Sequence, residues 1–309
     1  MGPDNYLAVF GHTNVDHISL VPSFPPMNQS VQIDRFEHLW GGTTANIAAV
    51  AARQGVPVAL ASFVGHGFPP QFQEHLRSVG LDLTDLTVVE GQPTPECFIF
   101  SDGQDNQMAF VIQGPMEMAG GLDIQAHSID TAATIHLATG NPQYHMRVAQ
   151  EGRRRGRRVC FDPGQELHYK WTAETFSQMM RLADMLFLND TELSRALSYT
   201  GLKGPEELLD LVDAVLLTKG RQGSALMNAD GTIEVPMIPA RKVEDTTGAG
   251  DAYRGGYYSG LYRGLTQRDA MLLGAATASL VVERQGPQTN IPTFEQAWER
   301  VVEAGSGGA

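Results

Sequence analysis

The chain has 309 residues, 42% of them hydrophobic, with 22 lysines and arginines against 35 aspartates and glutamates, a formal charge of −13. That apolar content is enough to bury a full core and excludes global disorder, and the length allows one large domain, with or without a small second one. An acidic surface repels phosphate backbones and anionic headgroups, so nucleic acid and membrane are poor partners.

The two cysteines, Cys97 and Cys160, each lie in an apolar, strand-like run. Small buried residues in a reducing compartment fit this usage better than a disulfide or a metal site. The N-terminal residues show no basic segment followed by an apolar one, and no apolar run approaches ~18 residues. Neither a signal peptide nor a membrane span is expected, and the cytoplasm is the expected location.

In chain order, residues 7–10 read as a first strand buried on both faces. The Ala-rich stretch 44–53 reads as a helix, 57–64 as a strand, and 71–79 as a helix closed by Gly80. Strands follow at 134–137, 159–162, 185–188 and 214–218, with helices between them, for example 142–155 and 175–182. From Gly250 onward the chain reads as largely helical, and the last helix opens on a capping box, Thr293-Phe294-Glu295-Gln296. This alternation predicts an α/β fold with a mostly parallel sheet flanked by helices. Two stretches break it: 17–39, where strand-like pieces are separated by Pro22, Pro25 and Pro26, and 96–112, where Asp102 to Asn106 is a hairpin signal. They are compatible with a small separate β-sheet over a cleft or with an extension of the main sheet's edge.

The segment with the most chemistry is Asp245-Thr246-Thr247-Gly248-Ala249-Gly250-Asp251-Ala252-Tyr253-Arg254. Gly248, Ala249 and Gly250 let a ligand approach the backbone closely. The helix that begins there points unpaired N–H groups and the positive end of its dipole outward, which makes an anion site. Asp251, in the first turn, reads either as a charge complementing the dipole or as a base beside the anion.

The segment resembles the second signature of the ribokinase-like (PfkB) family of carbohydrate and nucleoside kinases, with Tyr253 where that signature has Phe. Gly41-Gly42-Thr43-Thr44-Ala45-Asn46 resembles its first signature, followed by Gly55 and Gly65 at the family spacing; Thr44 stands where a smaller residue is usual. Gly11-His12-Thr13-Asn14-Val15-Asp16 is similar to the family's sugar-contacting start. Asn189-Asp190-Thr191-Glu192 is similar to its Asn-x-x-Glu element, and Thr218-Lys219-Gly220-Arg221-Gln222-Gly223 to its nucleotide loop. Without the resemblance, the Asn189 segment reads as a helix cap and the Thr218 segment as a turn between strands.

The resemblance spans Gly11 to about Gln285. It implies one ribokinase-like kinase domain over 1–309, a Rossmann-like sheet with a small β-sheet lid formed by about 15–40 and 94–113. It also implies an ATP-dependent phosphotransferase. Asp251 would be the base, and Gly248, Ala249 and Gly250 the anion hole. Asn14, Asp16, Gly41, Gly42 and Asn46 would hold the acceptor, and Asn189, Thr218, Lys219, Gly220 and Gly223 the ATP. Asn189 and Glu192 would hold Mg2+ through water, and K+ or another monovalent cation would sit near Asp245 and Thr247. A small sugar is the first acceptor and a nucleoside, phosphorylated on its ribose 5′-hydroxyl, the alternative; a ligand-binding relative without catalysis is a third reading. Arg254 is similar to a basic residue of some prokaryotic nucleoside kinases. The aromatics of 36–40 read either as a stacking surface for a base or as packing of the lid. A homodimer through the lid edges is a further expectation. The run Arg153-Arg154-Arg155-Gly156-Arg157-Arg158 reads as a solvated helix end. Asp162-Pro163-Gly164-Gln165-Glu166 departs from the family's pattern at Gly164 and Glu166, which argues against phosphate or metal contact there.

Overall fold

The structure is a computed structural model and describes residues 4–102 and 106–306. In chain order its elements are β1 (Asn5–Phe10), β2 (Asn14–Leu20), β3 (Arg35–Gly41), α1 (Thr43–Arg53), β4 (Val58–His66), α2 (Pro70–Ser78), β5 (Leu86–Pro93), β6 (Glu96–Ser101) and β7 (Gln107–Ile112). Then come α3 (Ala126–Thr131), β8 (Ala132–Leu137), α4 (Pro142–Arg154), β9 (Arg158–Phe161), α5 (Ala173–Met180), β10 (Met185–Asn189), α6 (Asp190–Thr200), β11 (Ala214–Thr218), β12 (Ser224–Asn228), β13 (Gly231–Val235), α7 (Ala249–Tyr262), α8 (Gln267–Val281) and α9 (Phe294–Ser306).

Among the described residues the strands form a nine-stranded sheet, ordered β13-β12-β11-β10-β9-β8-β1-β4-β5, and a separate four-stranded sheet, ordered β3-β2-β6-β7. The large sheet is parallel from β11 to β5, and β12 and β13 continue it antiparallel. Its strands are apolar on both faces because helices cover both. On β1, Ala8 and Phe10 face the layer of α3, α4, α5 and α6 with Ile129, Tyr144, Phe176 and Ala196. Leu7 and Val9 face the layer of α1, α2, α7 and α8 with Ile47, Phe72, Tyr257 and Met271. Each such Leu or Phe contributes about 1.5–3 kcal/mol, so the sheet is a rigid platform for its strand ends.

β1 pairs in parallel with β4 on one side and β8 on the other. The chain order reverses there, and the carboxyl ends of strands at such a point form the usual ligand crevice of α/β sheets. The small sheet leaves from the same place, since β2 starts four residues after β1 ends.

The prolines at 22, 25 and 26 fall in the connection between β2 and β3. The hairpin of β6 and β7 is closed by Asp102 N–H to Asn106 carbonyl at 3.1 Å, with 103–105 lying outside the described residues. Both cysteines are free, Cys97 in β6 and Cys160 buried in β9. The α9 capping box is present: Thr293 N–H donates to Gln296 Oε1 (2.9 Å) and Gln296 N–H to Thr293 Oγ1 (3.3 Å).

Strand β5 was not anticipated from sequence. It carries Glu90, Gly91 and Pro93 on an exposed edge, where burial does not impose an apolar pattern. Gly65 makes its pairing with β4 fit, because a Cβ there would lie 2.2 Å from the Gln92 carbonyl oxygen. Helix α3 was also unanticipated; it is six residues long, and three of them, Ser128, Asp130 and Thr131, are weak helix formers.

Candidate active site

One side of the cleft, where the sequence places the acceptor-holding candidates, is built by β2, the end of β3 and the start of α1. Asn14 and Asp16 are two apart on β2 and share a face, as alternation requires. Asn14 Nδ2 donates to Asp16 Oδ1 at 2.5 Å. Gly41 pairs opposite Asn14, and a Cβ on it would lie 2.1 Å from Asp16 Oδ2, so no larger residue fits beside that carboxylate. Gly42 has φ 95° and would place a Cβ 2.4 Å from the His12 carbonyl. Burial pushes the Asp16 pKa up to about 7, against the Asn14 hydrogen bond and helped by the Asp251 and Asp245 charges.

Helix α7 supplies the opposite wall. Gly248, at φ 73° and ψ 5°, is its N-cap and offers no side-chain cap. Its missing Cβ would fall 2.3 Å from Pro287 Cβ. The Ala249 N–H turns back to the Thr246 carbonyl at 3.2 Å, whereas the N–H groups of Gly248 and Gly250 make no hydrogen bond among the described residues. These donors, with the Asp251 N–H that likewise has no partner among the described residues, stand free at the positive end of the helix.

Asp251 Oδ2 accepts from Asn46 Nδ2 at 2.8 Å, and Asn46 Oδ1 accepts from Gln288 Nε2 at 2.9 Å. The two signature segments, 205 residues apart, thus meet side chain to side chain. Burial raises the Asp251 pKa to about 7, opposed by the Asn46 bond and Arg254 and reinforced by Asp162 and Glu192. A carboxylate tuned near neutrality can take up a proton in the physiological range.

Two participants carried no assignment from sequence. Gln288, after α8, orients Asn46; it lies just beyond the stretch that the resemblance covers. Asp162, in the segment that departs from the family pattern, is the bidentate partner of buried Arg254. Recognising that pair needs the fold, because Asp162, just after β9, and Arg254 of α7 are 92 residues apart.

The remaining candidates gather at neighbouring strand ends. Asn189 and Thr218 are paired in register at the ends of β10 and β11. Asn189 caps α6: its side chain accepts from Glu192 N–H (2.9 Å), while Glu192 accepts from Asn189 N–H (2.8 Å) and Asn189 Nδ2 (2.9 Å). Burial pushes the Glu192 pKa up to about 7, helped by Asp162. Gly220 (φ 52°) and Gly223 (φ 88°) shape the turn after β11, where Lys219 N–H donates to the Gly223 carbonyl at 2.8 Å and Lys219 Nζ lies 3.1 Å from Glu234.

Asp245 joins two loops, accepting from Thr247 N–H and Gly286 N–H, each at 2.9 Å. Beside it a cavity of about 210 Å3 is walled by Ile18, Leu20, Ile99 and Arg35 of the small sheet region and by Asp245, Thr247 and Gln285. The small sheet therefore overhangs the start of α7.

His12 is buried, 3.3 Å from Glu166 Oε1. Met116 is buried and Met118 half-exposed. Phe36 and His38 alternate onto the face of the small sheet opposite Asp16, where they pack with His17, itself stacked on Phe98; Trp40 stacks on Phe72 of α2 at 4.8 Å. These aromatics thus pack the small sheet and its base. The basic run is largely occupied: Arg153 pairs with Asp184, Arg154 with Glu151, Arg155 with Glu151 and Asp130, and Arg157 donates to the carbonyls of Ile129 and Asp130.

Residues 4–294 match the pattern of the pfkB family carbohydrate kinases. The chain belongs to this family. A nucleoside kinase of Methanocaldococcus jannaschii is 36% identical over 292 residues, which is 94% of this chain and 95% of that protein. The crystal structure of the nucleoside kinase of that organism, described as an archaeal member of the ribokinase family, superposes with a TM-score of 0.90 at 34% identity over 98% of this chain and 100% of that one. A Burkholderia thailandensis nucleoside kinase in complex with inosine superposes at 0.86 with 25% identity, over 96% and 98%. As a pfkB member with such relatives the protein is an ATP-dependent kinase of a sugar or nucleoside, with a mostly parallel sheet and a small second sheet. No helix among the described residues is long and apolar enough to cross a membrane.

Proposed function

We propose that the acceptor is a nucleoside, phosphorylated on its ribose 5′-hydroxyl, and that Asp251 is the base. The observation that carries the site is the pairing of a carboxylate tuned to about 7 with free N–H groups on the same uncapped helix turn. The acceptor class is supported by relatives: beside the M. jannaschii enzyme, a nucleoside kinase of Methanothermobacter thermautotrophicus is 34% identical over 97% of this chain and 96% of its own length.

In this reading Asn14, Asp16, Gly41, Gly42 and Asn46 hold the sugar hydroxyls, with the glycines letting the ring rest on backbone. Asp251 takes the proton of the attacking hydroxyl as its oxygen meets the γ-phosphorus. The Gly248 and Gly250 N–H groups stabilise charge on the phosphoryl oxygens, and Ala249 holds the turn that aims them. Asn189, Thr218, Lys219, Gly220 and Gly223 line the nucleotide side.

Magnesium fits this cleft electrostatically: Asp162, Glu192 and Asp251 are three carboxylates around the single guanidinium of Arg254. Both Glu192 oxygens are already bonded to Asn189, so these two would hold the ion through water, and the ion would supply charge neutralisation between the phosphates. A monovalent cation would lie by the loops that Asp245 ties together, next to Thr247. The small sheet acts as a lid, excluding water during transfer. Its far face and edge expose Phe36, Met108 and Phe110, a surface suited to a second copy of the chain. Two free cysteines, Cys160 among them buried, fit a reducing, cytoplasmic place of work.

The test is phosphoryl transfer from Mg-ATP to a panel of nucleosides, free sugars and sugar phosphates. Turnover confined to nucleosides is expected. Turnover of a free sugar with nucleosides silent would return the assignment to a carbohydrate acceptor.

A further inference from the structure

Behind the first turn of α7 lies a buried ionic network that the reading above uses only as background charge for magnesium. Arg254 is 5% exposed and Asp162 5%. The guanidinium grips both Asp162 oxygens, Nη2 to Oδ1 at 3.0 Å and Nε to Oδ2. Its remaining nitrogen, Nη1, donates to the Gly250 carbonyl at 3.1 Å, and its plane sits over the Phe187 ring at 5.7 Å. Asp162 Oδ2 is also 3.4 Å from His136 Nε2, and His136 Nδ1 meets Tyr258 OH at 2.8 Å. β8, the segment after β9, and α7 are thereby tied together at the one carbonyl whose peptide plane leads into Asp251.

We propose that the Arg254–Asp162 pair is the positioning device of Asp251: it pins the first turn of α7 through the Gly250 carbonyl and balances the charge around the carboxylate from behind. Arg254 and Asp162 are positioning residues, and the proposal rests on Asp251 being the base. The geometry favours this role over plain packing. A buried ion pair is replaceable by apolar residues at little or no cost in stability, so stability alone gives no reason for one here. Nη1 spends its hydrogen bond on the carbonyl between the Gly248 and Gly250 N–H donors and Asp251. The guanidinium packs closely on Gly250, since a Cβ there would be 3.0 Å from Nη1.

The charged and polar groups around Asp251 are Asn46 from α1, Arg254 from its own helix, Asp162 after β9 and Glu192 from α6. Asp16 from β2 senses Asp251 and Asp245. His136 from β8 acts through Asp162 and Arg254. Burial works against charge on both members of the pair, yet Arg254 and His136 hold the Asp162 pKa below its usual range, and Asp162 keeps Arg254 protonated. The two therefore act on Asp251 with opposite signs: Arg254 favours its ionised form and Asp162 disfavours it.

The experiment is the pH profile of kcat/KM for phosphoryl transfer in four variants, with thermal melts to confirm folding. Arg254→Gln is expected to move the acidic limb to higher pH and Asp162→Asn to lower pH, each by about one pH unit. Arg254→Lys keeps the charge but not the fork, so its limb stays in place while kcat falls about tenfold to a hundredfold. A purely structural pair would lower melting temperature and leave every limb where it was, or move both limbs the same way, and either result overturns the proposal. Asp251→Asn separates the two readings. If it is inactive while the other limbs do not move, the base stands and the positioning role falls. If it is active, the base assignment itself falls. Should the single variants not fold, the neutral double variant Arg254→Gln/Asp162→Asn is expected to keep the limb near its original place with a reduced kcat, and an undiminished kcat would overturn the pinning role.

Discussion

Helices α6 and α7 begin in the same cleft, and each carries a carboxylate at the third position of its first turn, Glu192 in one and Asp251 in the other. Burial raises both to about 7. The two starts nevertheless differ in kind. At α6 a full capping box satisfies the N–H groups of Asn189 and Glu192, closes the turn with side chains and occupies both carboxylate oxygens. At α7 the cap is a glycine in the left-handed region, no side chain closes the turn, and Asp251 is held from outside by Asn46. Satisfied donors stabilise a helix; unsatisfied ones are a stored capacity to bind an anion. The same residue type at the same helix position is thus architecture in one place and proposed chemistry in the other, and what surrounds it decides which.

The sharpest way to break this contrast is Asp251→Asn. The amide keeps the size and the hydrogen-bonding reach toward Asn46 but cannot accept a proton. Turnover is expected to fall about a thousandfold, within the range for loss of a general base, with the circular dichroism spectrum unchanged. Near-normal turnover in the folded variant would place Asp251 with Glu192 as architecture.

Gly248→Ala attacks the open cap itself. A left-handed backbone costs a non-glycine residue about 1–2 kcal/mol, and the new Cβ meets Pro287 at 2.3 Å. The turn must shift, so a lowered melting temperature and a loss of turnover are expected together. An unchanged kcat despite the lost stability would mean that the donors of this turn do not touch the phosphoryl group. The matching change at α6, Asn189→Ala, removes a side-chain cap worth about 1 kcal/mol. If Asn189 also holds magnesium through water, the Mg2+ concentration for half-maximal rate rises as well. A drop in melting temperature alone would leave Asn189 a cap and nothing more.

The contrast also shows what was readable in the sequence. The parallel strands were legible because their residues are apolar on both faces, as β1 and β10 are, and the start of α7 was legible because glycines mark close backbone approach. Asn14 with Asp16, and Gly41 with Gly42, were legible as a pattern, although the reason for Gly41, the Asp16 carboxylate in the space its Cβ would fill, was not. Edge strand β5 escaped because exposure erases its alternation. The Asn46–Asp251 bond, the Gln288 support and the Arg254–Asp162 pair escaped because each joins residues 92 or more positions apart, and only the folded sheet brings them together. The aromatics of β3 were ambiguous until strand register placed Phe36 and His38 on the face away from Asp16.

The smallest expected effect concerns stability rather than rate. The folded-state pKa of Asp251 is raised from the ordinary 3.8 to about 7. Between those values the folded chain holds a proton that the unfolded chain has released, so this group's contribution to stability falls as pH rises through the window and levels off above it. Asp16 and Glu192 act with the same sign. Asp251→Asn removes one of these penalties, so it should melt a few degrees above the parent protein at pH 8, with the gap narrowing toward pH 5, where the folded parent carboxyl is neutral and only the unfolded one is still ionised. Melting curves of both proteins at the two pH values measure this. A gap that does not change with pH would mean that the carboxylate is well solvated in the folded state, and the tuning attributed to its burial would have to be withdrawn even if the variant were inactive.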